Sequence, residues 1–324
     1  MIRIVEGSAI WGIPARRSPH AAAADIATYA WVDSHELCED SAERRNLTRI
    51  RPGLLAAYCH PDATEADVTL IAQWMAWLFL LDDRIDESDL GRAADPLEEQ
   101  LHNLQGVTMG THAATWPLSL ALEAIIARAS VGMTDAWQLR FRRHVSEYLS
   151  GCVWQAAHRQ SGQVPKPDAF AHWRRAFGAI MPSFDLIEKT DGGALSSSVY
   201  YSRPYQDLLI AAADIVCWTN DLLTVDKEAE QGDLHNLVLV TAHHHGEDRQ
   251  AATATVSTAC EQRIHTYLAG CQELTGLTAT LGLPDADRSH VDHCSAALGV
   301  WIRGHLEWGY QTPRYQSALV GEGR

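Results

Sequence analysis

The chain has 324 residues and a formal net charge of −15, and its Lys and Arg residues gather into no basic block, which excludes the usual nucleic-acid surface. Seven cysteines without CxxC spacing, and an N-terminus "MIRIVEGSAIWGIPARR" lacking a long apolar core, point to a reduced, cytoplasmic protein. The longest apolar run falls far short of a membrane span, so the 46% hydrophobic residues are expected to fill a core.

Helical spacing of apolar residues recurs from about residue 20 to about residue 310, and strand-like alternation is scarce. The pattern predicts helices near 20–37, 64–81, 94–105, 117–130, 135–160, 168–190, 200–230, 247–275 and 288–310. The stretches "GRAADP", "SGQVPKP", "DGGALSSS" and "GLPDAD" are turn or loop compositions, with Pro167 placed to open a helix. None is long enough to link two domains. The expectation is therefore all-α: one domain over 1–324, a bundle of about ten helices around a central apolar pocket, with flexible ends at 1–18 and 316–324. The run "HHHG" reads as a loop after a helix, because consecutive His residues on a helix cannot all face one ion.

Two acidic stretches carry the chemistry. In the predicted 64–81 helix the apolar run Trp74 to Leu81 passes directly into "DDRID", with Trp74, Leu78, Asp82 and Asp86 one turn apart. One reading is a helix end entering solvent, although carboxylates there oppose the helix dipole. The other is a hard-cation site, since aspartates one turn apart offer oxygen ligands to Mg²⁺, which commonly also holds ligand phosphates. Downstream, "WTNDLLTVDKE" places Asn220, Thr224 and Glu228 on one helical face below Ala213, Val216 and Cys217. That stretch reads either as a polar stripe or as a three-point oxygen site.

Taken together, "DDRID" and "NDLLTVDKE" resemble the paired metal motifs of bacterial class I terpene synthases, sesquiterpene cyclases in particular. "IPARRSPHAAAADIATYAWV", "HPDATEADVTLIAQWMAWLFLLDD" and "GHLEWGYQTPRY" extend the resemblance over nearly the whole chain. It implies a lyase that ionises a linear prenyl diphosphate with three Mg²⁺ ions, farnesyl diphosphate being favoured, and cyclises the cation to a hydrocarbon or alcohol. Asp82 holds the position that bridges two ions, with Asp83 and Asp86 supporting it and Asp86 kept in the ligand set. Asn220, Thr224 and Glu228 match the third ion's ligands, Arg174 the diphosphate sensor, and Lys227, Arg314 and Tyr315 the remaining diphosphate donors. Arg and Lys suit that task as charge-assisted donors, and Arg175 is a rival for the sensor position.

Gly178 matches the family's effector residue. Two positions depart from the commonest pattern: Phe177 stands where a polar linker is frequent, and Leu78 where an aromatic ring is frequent, leaving Phe79 as neighbour. Trp308 matches the closing tryptophan of the pocket, and Trp77, Trp154 and Trp301 are further candidates for π faces toward a cation. Leu78 leaves geranylgeranyl diphosphate open as substrate. A prenyl diphosphate synthase would carry a second DDxxD, and a non-enzymatic acidic helical metal binder would not require Arg174 and the Arg314-Tyr315 pair. The assembly is expected to be a monomer or homodimer without a nucleic-acid partner.

Overall fold

The computed structural model describes residues 7–87 and 94–316; the side chains of residues 86, 87, 94–96 and 316 lie outside the described set. Every regular element among the described residues is helical. After a 3-10 turn at Ala9–Gly12 come α1 (Ala21–Ser34), α2 (Ser41–Ile50), α3 (Pro52–Cys59), α4 (Glu65–Glu87) and α5 (Ala94–Met109). They are followed by α6 (Pro117–Ser130), α7 (Asp135–Ser161), α8 (Pro167–Phe177), α9 (Ile180–Thr190) and the short α10 (Ser197–Tyr200). The last part holds α11 (Arg203–Gln231), α12 (Leu237–His245), α13 (Arg249–Thr280), α14 (Asp285–Gln311) and the single turn α15 (Pro313–Gln316).

Local chemistry sets many of these ends. Asp40 accepts hydrogen bonds from the Ala42 and Glu43 backbone, and Thr134, Ser202, Asn236 and Asp248 cap α7, α11, α12 and α13 in the same way. Prolines stand in the first turn of α3, α6, α8 and α11, where a missing N–H costs nothing. Gly162, Gly232 and Gly246 end α7, α11 and α12 in the left-handed conformation.

The structure differs from the sequence pattern in three informative places. The predicted 168–190 helix is two helices, broken where Gly178 caps α8 and Ala179 adopts φ 51°. Helix α3 was not anticipated because every one of its residues is buried, which leaves no polar face for a period to reveal. The three consecutive histidines, expected in a loop, form the last turn of α12, which ends only at the left-handed Gly246.

Helix α3 lies between α1, α4 and α14. The close approach depends on two glycines: a Cβ on Gly53 would stand 2.5 Å from the Asp25 amide nitrogen, and one on Gly304 would stand 2.4 Å from the Tyr58 carbonyl oxygen. Elsewhere α11 packs along α13, α5 along α7, and α7 along α8. A buried ionic group ties α7 to α9, with Arg140 2.9 Å from Asp185 and also bonded to Glu188, and His144 2.6 Å from Asp185. One described helix, α11, is long and apolar enough to cross a bilayer, and most of its apolar window is buried inside the fold. Helices α4, α7, α8, α9, α11 and α14 together enclose a central cavity that opens beside α15.

Candidate active site

Met75, Leu78, Phe79 and Asp82 line that cavity from α4, at the i, i+3, i+4, i+7 spacing of one helical face. Trp74 does not belong to the stripe. It is fully buried behind it, donates to Ser183 Oγ at 3.0 Å and stacks on Trp77 at 5.7 Å, while Trp77 donates to the Leu118 carbonyl. Trp77 is therefore a packing residue and offers no face to the cavity. The Asp86 side chain lies outside the described residues.

From α11 come Val216, Cys217, Asn220, Thr224, Lys227 and Glu228; Ala213 is buried behind them. Arg174 of α8 crosses to this helix as a fork, with Nε 2.9 Å from Asp221 Oδ1 and Nη2 2.9 Å from Asn220 Oδ1. Burial opposes its charge, but Asp221 outweighs that and raises its pKa, so the guanidinium stays charged. Arg175 faces away. It meets the wholly buried Asp214 at 2.6 Å, which Arg263 of α13 also reaches at 2.9 Å. Asn220 Nδ2 donates to the Tyr315 hydroxyl at 3.0 Å, and Asn236 Nδ2 donates to Glu228 Oε2 at 2.8 Å. Burial, with Asp221 nearby, pushes the Glu228 carboxyl up to about 8.

Across the mouth, Arg314 stands 2.8 Å from Asp83 and 3.4 Å from Asp82, with its guanidinium 5.1 Å from the Phe79 ring centre. Burial again opposes the charge, and Asp83, Tyr315 and Asp82 hold it in place by raising the pKa. Behind the mouth, Lys227, Arg159, Asp233 and His235 line a second, more open space continuous with the first through shared residues. Asp233 is held well below the usual carboxylate range: burial would raise it, but the His235 hydrogen bond and Arg159 prevail.

The inner end is apolar and aromatic. Phe79, Tyr148, Phe177, Trp301 and Trp308 line it, with Leu55, Leu78 and Ile180 between them. Trp154 is excluded from the wall, since it stacks on Trp173 and backs Phe177 at 6.3 Å. Trp308 is fixed by donating to the Ile50 carbonyl at 2.8 Å and by an edge contact with Tyr315. The cavity has a volume of ≈ 190 Å³, room for on the order of ten waters, which any ligand that fills it must displace.

Among the described residues no three His, Cys, Asp or Glu side chains converge on one point. The α11 set relies instead on an amide oxygen, a hydroxyl and one carboxylate, all hard oxygen donors suited to Mg²⁺. Asp82, with its side chain 44% exposed, faces the same cavity from α4. That donor chemistry fits a hard divalent cation and argues against a soft one.

A family model described as terpene synthase family 2, C-terminal metal binding, matches residues 73–266. The chain is 67% identical over 322 residues to (-)-delta-cadinene synthase of Streptomyces clavuligerus, spanning 99% of this chain and 98% of that protein. It is 31% identical to pristinol synthase of Streptomyces pristinaespiralis, over 96% of this chain and 86% of that one. The chain belongs to the terpene synthase family.

The fold agrees. The crystal structure of linalool/nerolidol synthase from Streptomyces clavuligerus superposes with a TM-score of 0.82 at 28% identity, over 91% of this chain and 98% of that one. As a terpene synthase the protein is a lyase of a metal-binding family with an all-α fold. Asp82, Asn220, Thr224 and Glu228, Arg174, Lys227, Arg314 and Tyr315, and Leu78, Phe79, Phe177, Gly178, Trp301 and Trp308 line this cavity as sequence reasoning nominated them, whereas Trp77, Trp154 and Asp83 do not, and the Asp86 side chain lies outside the described residues. Sequence reasoning passed over Asp221 and Asn236, which hold Arg174 and Glu228 in place, and the Arg159, Asp233, His235 group, whose members bond one another beside Lys227. Asp221 adjoins Asn220 in the motif itself. Asn236 could have been found as the Asn opening an apolar run, an N-cap signature.

Proposed function

We propose that this enzyme ionises farnesyl diphosphate and closes the resulting cation to a cadinene-type C15 hydrocarbon. The observation that carries the proposal is the polarity of the cavity: oxygen donors and cationic side chains at the mouth, aromatic and aliphatic walls below. The substrate length rests on relatives: one that is 37% identical over 232 residues, from Roseiflexus castenholzii, is named for cyclising (2E,6E)-farnesyl diphosphate, and the 67% identical relative is named for delta-cadinene.

In this reading Asp82, joined by Asp86 as the sequence motif has it, would hold metal from α4, and Asn220, Thr224 and Glu228 would hold it from α11. Those residues would hold the three Mg²⁺ ions we infer, and bound metal would supply positive charge against the departing diphosphate. Arg174, Lys227, Arg314 and Tyr315 bind the diphosphate oxygens, with the two arginines supplying planar forks. Arg314 then exchanges its carboxylate partners for the ligand and draws α15 over the mouth. Gly178 and Phe177 sit at the break between α8 and α9, where movement of Arg174 is felt by the cavity wall. Leu78, Phe79 and Trp308 fold the chain and exclude water, and the aromatic faces stabilise positive charge as it migrates.

We further read the chain as one domain, acting in the cytoplasm, where its free thiols persist. The test is incubation with C10, C15 and C20 diphosphates plus Mg²⁺, with pyrophosphate release measured and products identified by gas chromatography and mass spectrometry. Farnesyl diphosphate is expected to give a cadinene-type hydrocarbon. Product from the C20 substrate alone would overturn the assignment.

A further inference from the structure

His305 lines the cavity from α14, one turn beyond Trp301 and three residues before Trp308. Its ring lies 5.9 Å from each indole, nearly parallel to Trp301 at 10° and tilted 41° to Trp308. The residue is 6% exposed, and its Nδ1 is buried with no hydrogen-bond partner. An unpaired buried polar group is costly, and a Phe or Leu would fill the place without that cost. Burial pushes its pKa down to about 4, with the charge of Arg174 acting in the same direction. The ring is thus neutral near pH 7, and whichever tautomer is present, one nitrogen carries a lone pair.

The Trp301 Nε1, which also lacks a partner, is a donor and offers no lone pair to a proton, and two other polar groups of the wall are already engaged. The Ser183 hydroxyl donates to the Ala179 carbonyl at 2.7 Å and accepts from Trp74, and the Cys217 thiol donates to the Arg174 carbonyl. A carbon-bound hydrogen next to a carbocation is far more acidic than an imidazolium, so even a weakly basic ring nitrogen suffices to remove it.

Resting on the reaction proposed above, we propose that His305 is the base that ends it. The ring lone pair takes a proton from a carbon adjacent to the final cationic centre. The electron pair of that C–H bond becomes the new C=C bond, giving a neutral hydrocarbon. The imidazolium passes its proton to the released pyrophosphate at the Arg174 end, which restores the neutral ring.

The test compares the full-length enzyme with His305→Phe, which keeps a flat ring between the indoles, and His305→Gln, which keeps polarity. Each receives farnesyl diphosphate and Mg²⁺, and both pyrophosphate release and product composition are measured. Both variants are expected to go on releasing pyrophosphate while the fraction leaving as the wild-type hydrocarbon falls about tenfold or more, replaced by alcohols or isomeric olefins. A residue that only packs between the tryptophans would not divert the products of His305→Phe in this way. Wild-type products in wild-type proportions from variants that release pyrophosphate would overturn the proposal and leave pyrophosphate as the base. No release by the wild type would overturn the reading of the site as a whole.

Discussion

Arg314 reaches from α15 across the cavity mouth to Asp83, placing Nη2 2.8 Å from Oδ1. The same guanidinium stands 3.4 Å from Asp82, so a cation assigned to the diphosphate also pairs with the acidic motif. Arg314→Gln keeps two donors but removes the charge. It is expected to lower kcat/KM for farnesyl diphosphate about a hundredfold, about 2.7 kcal/mol of transition-state stabilisation, and to lower the melting temperature modestly because Asp83 loses its partner. Steady-state pyrophosphate release and a thermal melt check both parts; unchanged kcat/KM would remove Arg314 from the diphosphate site.

Arg174 and Arg175 differ in what they hold. Arg174→Lys keeps a charge but cannot span Asp221 and Asn220 together, so turnover is expected to fall at least about tenfold, about 1.4 kcal/mol. Arg175→Lys is not a neutral change, because its partner Asp214 is wholly buried. With Arg263 still beside Asp214, a stability loss of about 1–2 kcal/mol is expected, with turnover of the folded enzyme within about threefold of wild type. Denaturant melts and kcat separate the two; an Arg175→Lys variant that is stable but inactive would reverse these roles.

Glu228→Gln keeps an oxygen that can accept from Asn236 Nδ2, so folding should be little changed. It removes the formal charge from the α11 oxygen set. Turnover at millimolar Mg²⁺ is expected to fall by about a hundredfold or more, with partial recovery at higher Mg²⁺ if the lost term is metal affinity. Wild-type turnover at ordinary Mg²⁺ would show that this carboxylate does not serve the metal.

These cases show why some of the site was legible in the sequence and some was not. Asp82, Asn220, Thr224 and Glu228 stand at helical spacings, and spacing survives folding of a regular helix. Trp74 and Trp77 misled because a helix buried on all sides offers two apolar faces, and spacing does not say which one borders the cavity. The break at Gly178 and Ala179 was hidden for a different reason: apolar periodicity continues through "RAFGAIMPSF", and the turn depends on a left-handed Ala that no propensity favours. Asp214 was invisible as Arg175's partner because the two lie far apart in the chain.

His60 provides a pH dependence. It is buried, its Nδ1 lies 3.3 Å from Thr190 Oγ1, its Nε2 has no partner, and burial pushes its pKa down to about 3. A base depressed in the folded state takes up protons on unfolding, so its contribution to stability falls as pH drops below the unfolded value near 6.5. From pH 7.5 to 5.5 that loss is about 1.4 kcal/mol. His60→Gln, neutral throughout, should lose about that much less stability over the interval, as read from urea melts at the two pH values. Equal losses in variant and wild type would mean that burial does not lower the pKa of His60 in the folded protein.

Gly178 and Ala179 are adjacent and should respond in opposite ways to exchanging their residue types. A Cβ on Gly178 would lie 2.8 Å from both Arg174 Nη1 and the Arg174 carbonyl oxygen. The carbonyl accepts the Gly178 N–H that closes α8 at 3.0 Å, so relieving both contacts shifts the turn as well as the guanidinium. Either shift disturbs the fork that Arg174 makes to Asp221 and Asn220. Gly178→Ala is therefore expected to lower kcat about tenfold or more. At Ala179 the left-handed φ of 51° costs about 1 kcal/mol, which glycine relieves. Loss of its buried methyl costs nearly as much, so Ala179→Gly should leave stability within about 0.5 kcal/mol of wild type and keep most of the activity. Melting temperatures and kcat for the two variants decide the matter. Full activity in Gly178→Ala would mean that Arg174 need not hold its fork for turnover, whereas a large loss in Ala179→Gly would mean that the strained turn itself sets the position of the cavity wall.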